Sequence, residues 1–123
     1  RVWLDCGGNI IIEQLETLTF IDVNSAKNIS SGSNSILKTN MEAAKEIARQ
    51  LRLRNISGMI IIDFINMKSE ASKDTLIEAL KRYIKDDNTV CTFVDITKLG
   101  LVELTRKKVH KSLKQILEKP LDE

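Results

Sequence analysis

Thr19-Phe20-Ile21-Asp22-Val23-Asn24 and Met59-Ile60-Ile61-Ile62-Asp63-Phe64 decide the fold of this 123-residue chain. Each is an apolar, β-branched run closing on an aspartate, the pattern of a strand buried on both faces of a sheet. A carboxylate at the end of such a strand needs a partner, because desolvating an unpaired charge costs several kcal/mol. One long helical segment separates the two runs, which makes them a β-α-β unit. Its right-handed crossover sets the strands parallel and brings Asp22 and Asp63 to the same C-terminal edge. Open α/β sheets place their ligands at that edge. Two carboxylates there repel unless a cation lies between them, so the pair is expected to hold a hard divalent ion, Mg²⁺ first and Mn²⁺ as the alternative.

Composition sets the frame for that pair. Hydrophobic residues make up 42% of the sequence and there is a single proline, which excludes a disordered chain and fits one α/β domain over residues 1–123. No apolar run nears the ~20 residues of a membrane span, and no signal peptide is present, so a cytoplasmic protein is expected. The chain opens on Arg1 and enters apolar sequence at once, as a segment of a longer protein would. The net charge is only +2, which alone does not suggest nucleic acid, but Lys98 to Lys119 gathers a basic cluster with few acids. Cys6 and Cys91 lack CxxC spacing and read as two free thiols rather than a disulfide.

The segments around the two aspartate runs have their own signals. Ile10-Ile11-Ile12, within Asn9 to Gln14, forms a strand that pairs with Leu18 to Val23 as an antiparallel hairpin. Gly7-Gly8 marks a tight turn needing positive φ rather than a phosphate loop. Asn24 to Asn34, rich in Ser and Asn and carrying Lys27, is a loop directly behind Asp22. Leu37, Met41, Ala44, Ala48 and Leu51 recur at helical spacing and give a helix over Ser35 to Arg54, with Asn34 or Ser35 as its cap. Lys38, Glu42, Lys45, Arg49 and Arg52 fall on its other face. Ser69 caps a second helix over Glu70 to Lys85, and Val90 to Ile96 is a further parallel strand. Its Asp95 reads as the entry residue of the next helix rather than a third ligand. A last, basic helix is expected from about Thr105. The fold class is therefore α/β: a mixed sheet with an N-terminal antiparallel hairpin, then β-α-β units with three packed helices.

Those residues also carry a family resemblance. Ile21–Ser25 (IDVNS), Lys38–Arg54 (KTNMEAAKEIARQLRLR), Ile62–Met67 (IDFINM) and Gly100–Lys107 (GLVELTRK) resemble the ribonuclease E/G family in order and spacing, from Trp3-Leu4 and its Gly-Gly turn onward. The resemblance implies the family's DNase I-like catalytic subdomain, an endoribonuclease cutting single-stranded RNA with a divalent metal. Its two metal-binding aspartates fall on Asp22 and Asp63. Its asparagine, which would hold the metal or the attacking water, falls on Asn24. Self-association as a homodimer or higher oligomer is implied as well. Asn66 stands where the family commonly has an aspartate. The S1 RNA-binding domain, the 5′-end sensing region and the CPxCxG zinc-link motif have no counterpart in the sequence, so no zinc is expected and the isolated segment is expected to be weakly active or inactive.

The implied chemistry gives each residue a role. Asp22 and Asp63 hold Mg²⁺, Asn24 orients water or phosphate, and Lys27, Arg106 and Lys107 attract RNA phosphates. Attack by water leaves a 5′-phosphate and a 3′-hydroxyl. His110, between lysines, is read as a surface residue and not a base. Trp3 and Tyr83 lie too far apart in sequence to suggest a base-stacking platform. The rival from another class is a non-catalytic RNA-binding or dimerisation module of the same fold, which has no use for two carboxylates where phosphates must approach. A dinucleotide binder is excluded because no G-x-G-x-x-G or P-loop comes after the first strand.

Overall fold

Both aspartate runs are strands, and they are hydrogen-bonded neighbours. The computed structural model describes residues 1–26 and 33–108. Their elements are β1 (Val2–Trp3), β2 (Asn9–Gln14), β3 (Thr19–Asn24), α1 (Ser33–Leu53), β4 (Gly58–Asp63), α2 (Glu70–Lys85), β5 (Cys91–Ile96) and β6 (Val102–Arg106). The described strands form one mixed sheet in the order β1-β2-β3-β4-β6-β5. β2 and β3 are the expected antiparallel hairpin. β3 and β4 run parallel, joined by α1, with Ile21 opposite Ile62 and Asp22 opposite Asp63.

Alternation along the strands sorts the side chains. Ile21 and Val23 of β3, Ile60 and Ile62 of β4, and Val102 and Leu104 of β6 are buried with Ala44, Ile47 and Leu51 of α1 and Leu76 and Leu80 of α2 in one core. Their strand neighbours Phe20, Asp22 and Asn24, with Met59, Ile61 and Asp63, point to the opposite face, which no described helix covers. The sheet therefore has one dry face and one that no described helix covers, so the two runs are not buried on both faces as expected, and the acidic pair belongs to the uncovered one. No described helix is long and apolar enough to cross a membrane, and Cys6 and Cys91 are both free thiols.

Two caps set where the chain enters β4 and α2. At the end of α1, Asn55 takes φ +50°. Its N–H bonds to the Arg52 carbonyl while Ile56 N–H bonds to that of Leu51, a Schellman closure with buried Ile56 as its apolar stop. Ser69 caps α2 by accepting from the Ser72 N–H at 3.3 Å.

The architecture departs from the sequence reading in three places. Thr105 and Arg106 belong to a strand, not to the start of a helix. β6 inserts between β4 and β5, antiparallel to both, so β5 has the expected direction but is not β4's neighbour. Two helices lie within the described residues, and the third, expected beyond Thr105, falls at residues 109–123, outside them. α1 also starts two residues early, which puts Asn34 and Ser35 inside its first turn.

Candidate active site

Asp22 and Asp63 stand opposite each other across β3 and β4. Parallel neighbouring strands lie about 4.8 Å apart, so the two side chains leave the same face of the sheet side by side. Both are partly buried, and among the described residues no lysine or arginine forms an ion pair with either. Burial first, and the Asp63 charge second, raise the Asp22 carboxyl above its ordinary 3.8. Hydrogen bonds from the Val23 backbone and the Asn24 side chain pull the other way, and Glu13 adds a further push upward. Two carboxylates side by side, one of them raised by burial first and by its neighbour second, are an arrangement that a cation would relieve.

Asn24 lies two residues beyond Asp22 on the same strand face, and its Nδ2 also donates to Asn9 Oδ1 at 3.4 Å. The Gly7-Gly8 turn packs against this end of β3. Gly7 has φ +96°, as the sequence reading required. Gly8 matters for closeness: a Cβ there would sit 2.7 Å from the Asn24 carbonyl oxygen.

The segment after Asp63 is fixed by a residue to which the sequence reading gave no role. Asn40 is fully buried in α1. Its Nδ2 donates to the Ile65 carbonyl at 2.9 Å and its Oδ1 accepts from the Ile65 N–H at 3.0 Å. That two-point clamp ties the chain leaving Asp63 to the first helix. The signal was there to be read, since Asn40 precedes Ala44, Ile47 and Leu51 at core spacing, and a polar residue on a core stripe needs a buried partner. Asn66 lines the cleft beside Asp63 and is exposed.

Of the other expected site residues, Arg106 and Lys107 do not converge on the pair. Arg106 is 4% exposed and its guanidinium is consumed. It donates to Asp87 (2.7 and 3.2 Å), to Asn55 Oδ1 (3.1 Å) and to the Ile56 carbonyl (3.0 Å). It pairs in register with Gly58, the start of β4, about 16 Å along the strand from Asp63. Arg106 is therefore a buried structural ion and not a phosphate contact. Lys107 is exposed but sits at that same far edge. Lys27 lies outside the described residues. Asp95 lies in β5 opposite Glu103, three strands from Asp22, so it is neither a ligand of this pair nor a helix entry.

As a donor set, two adjacent carboxylates and one amide fit a hard divalent cation that keeps part of its water shell. Among the described residues no cluster of three or more His, Cys, Asp or Glu gathers for a metal, so a closed all-protein cage is not what this edge provides. The model of the ribonuclease E/G family matches residues 1–109. The chain belongs to the ribonuclease E/G family. It is 48% identical to ribonuclease E of Synechocystis sp., the match covering 100% of this chain and 18% of that protein. A ribonuclease E/G-like protein of Pyropia yezoensis is 45% identical over 95% of the chain and 23% of its own length. Ribonuclease G of Escherichia coli is 39% identical over 95% of the chain and 24% of its own length. The chain thus spans roughly a fifth of the length of these relatives.

Proposed function

We propose that this chain is the metal-bearing part of an endoribonuclease that cuts single-stranded RNA. One observation carries the reading: Asp22 and Asp63 are direct partners in a parallel pair, on the accessible face at the C-terminal edge, and burial, with the Asp63 charge second, raises Asp22. The ribonuclease E/G family membership supports RNA as the substrate.

In this reading Asp22 and Asp63 hold Mg²⁺ or Mn²⁺, and Asn24 supplies a neutral amide to the same edge. When bound, the ion contributes Lewis-acid charge that makes water a better nucleophile and offsets charge on the phosphate. Asn24, already hydrogen-bonded to Asp22, orients water or the phosphate. Asn40 keeps the Asp63 carboxylate at its register position by holding the next turn of chain. Lys27, three residues after Asn24, is the phosphate contact that the chain order offers here. Water attacks phosphorus, the P–O3′ bond breaks, and the products are a 5′-phosphate and a 3′-hydroxyl.

The test is Asp63→Asn in the intact enzyme. Cleavage of a single-stranded RNA should be abolished while RNA affinity stays within about two-fold, because the change removes charge and no phosphate contact. Undiminished cleavage would overturn the assignment. RNA affinity lost together with cleavage would give Asp63 a part in binding or folding rather than in the chemical step.

A further inference from the structure

The edge that carries Asp63 continues into a cleft of about 570 Å³ that the chemistry above does not use. One wall is the chain leaving β4, with Phe64 and Asn66. The other is the β5–β6 turn, with Lys98 and Leu99, and α2 supplies Ile77. The register explains why the turn is there. Ile62 of β4 pairs with Val102, the first residue of β6, and the two strands are antiparallel. The residues just before Val102 therefore stand beside Asp63. From Asp63 the cleft runs over the sheet edge towards α2, on the side that the helices cover, since core residues Val102 and Leu76 belong to its lining.

Both walls are fixed. Asn40 clamps Ile65, between Phe64 and Asn66, by its N–H and its carbonyl. The turn is closed by hydrogen bonds from the Thr97 N–H to the Leu101 carbonyl (2.8 Å), from the Gly100 N–H to the Thr97 carbonyl (2.9 Å) and from the Leu101 N–H to Thr97 Oγ1 (3.1 Å). Gly100 takes φ +86° to complete it. That frame leaves Leu99 89% exposed, a large apolar side chain displayed on the rim of the cleft.

Charge sorts what the cleft can take. Glu70 is engaged by Lys73 at 3.3 Å. Asp63 and Asp74 are then set against Lys98, so this is no pocket for a bare phosphate. An apolar lining with a few polar groups suits a flat, neutral group. The Asn66 side chain is exposed and has no hydrogen-bond partner among the described residues, so its amide is free both to donate and to accept. An unstacked base offers both functions along one edge.

We propose that this cleft holds one nucleoside of the RNA beside the scissile phosphate, with its base against the apolar lining, the base edge read by the Asn66 amide, and the adjoining phosphate met by Lys98. The identity of the ligand rests on the nuclease reading.

The intact enzyme tests the proposal, first without metal or cleavage. Single-stranded RNAs carrying 4-thiouridine at one position at a time are bound in EDTA and irradiated. One position should crosslink to Phe64, Ile77 or Leu99, and crosslinks confined to other parts of the protein would overturn the proposal. Lys98→Ala should make the salt dependence of that binding shallower by about 0.7 in slope, one phosphate contact on a single strand; an unchanged slope would contradict it. With Mg²⁺, kcat/KM is then compared for RNAs bearing each of the four bases at the crosslinking position. Asn66→Asp keeps the shape but can only accept. Uracil, cytosine and adenine each lose the hydrogen bond donated by Nδ2, whereas guanine can donate twice, from N1 and N2. The variant should shift the preference towards guanine by about ten-fold at that position and at no other, and an unchanged ranking would overturn the role of Asn66. If Asp63→Asn still cleaved RNA while the crosslinks to the cleft persisted, only the assignment of the metal site would fall.

Discussion

Asp22 titrates in the company of Asp63, and the sign of that coupling is testable without RNA. Its folded-state pKa lies above 3.8, so the native state holds its proton longer than the unfolded chain does. Stability contributed by the protonated form is then lost as pH rises from 3.8 through the raised value. In denaturant melts of the metal-free protein, stability should fall across that window, and Asp22→Asn should remove the fall and leave the protein as stable or more so at neutral pH. A structural carboxylate would behave oppositely, with Asn costing about 1–3 kcal/mol. Asp87 carries the reverse sign. Burial pushes its carboxyl up, but hydrogen bonds from Arg106 and the Thr89 N–H, with the Arg106 charge, outweigh burial and bring it below 3.8. Its contribution is present above pH 3.8 and is lost as pH falls through the depressed value. Both side chains of the Asp87–Arg106 pair are 3% exposed, so Arg106→Met should destabilise by about 3–5 kcal/mol in urea melts, and Arg106→Met with Asp87→Leu should recover most of that. A phosphate-binding Arg106 would instead lower RNA affinity and leave stability unchanged.

Among the elements, α1 does the most to build the site, because it crosses from Asn24 to β4 and then holds Ile65 through Asn40. Asn40→Ala leaves the Ile65 N–H and carbonyl without their partners and should cost about 1–3 kcal/mol. It should also weaken Mn²⁺ binding at the Asp22–Asp63 edge, read by calorimetry, because the chain after Asp63 loses its anchor. Stability lost with metal affinity intact would show that the clamp serves the fold alone. The strands that could be read from sequence were those whose alternation is apolar. β6 was hidden because its inward positions are Val102, Leu104 and Arg106. A buried arginine at the third inward place breaks the hydrophobic pattern, and the lysines after it look like a basic helix. Arg106 turns inward because of Asp87, nineteen positions away, a pairing that local pattern does not announce.

Across the whole molecule, both described helices pack on one face of the sheet and the other carries Asp22, Asn24 and Asp63. That division was not legible, because the β-branched runs of β3 and β4 look like strands covered on both faces; the acidic pair and its C-terminal edge were. The parallel register came with them, because the helix between the runs dictates the crossover. The uncovered face also leaves Met59 47% exposed, beside partly buried Phe20 and Ile61. If this face joins two copies, light scattering should show mass rising with concentration and Met59→Lys should suppress the rise; a strict monomer at high concentration removes that use of it. The central claim is that Asp22 and Asp63 together hold one divalent ion. The direct measurement is Mn²⁺ binding, read from the loss of the free-ion electron paramagnetic resonance signal, on the parent, Asp22→Asn and Asp63→Asn. The account predicts one saturable site in the parent, displaced by Mg²⁺ and lost in both variants. Undiminished Mn²⁺ binding in either variant would contradict it.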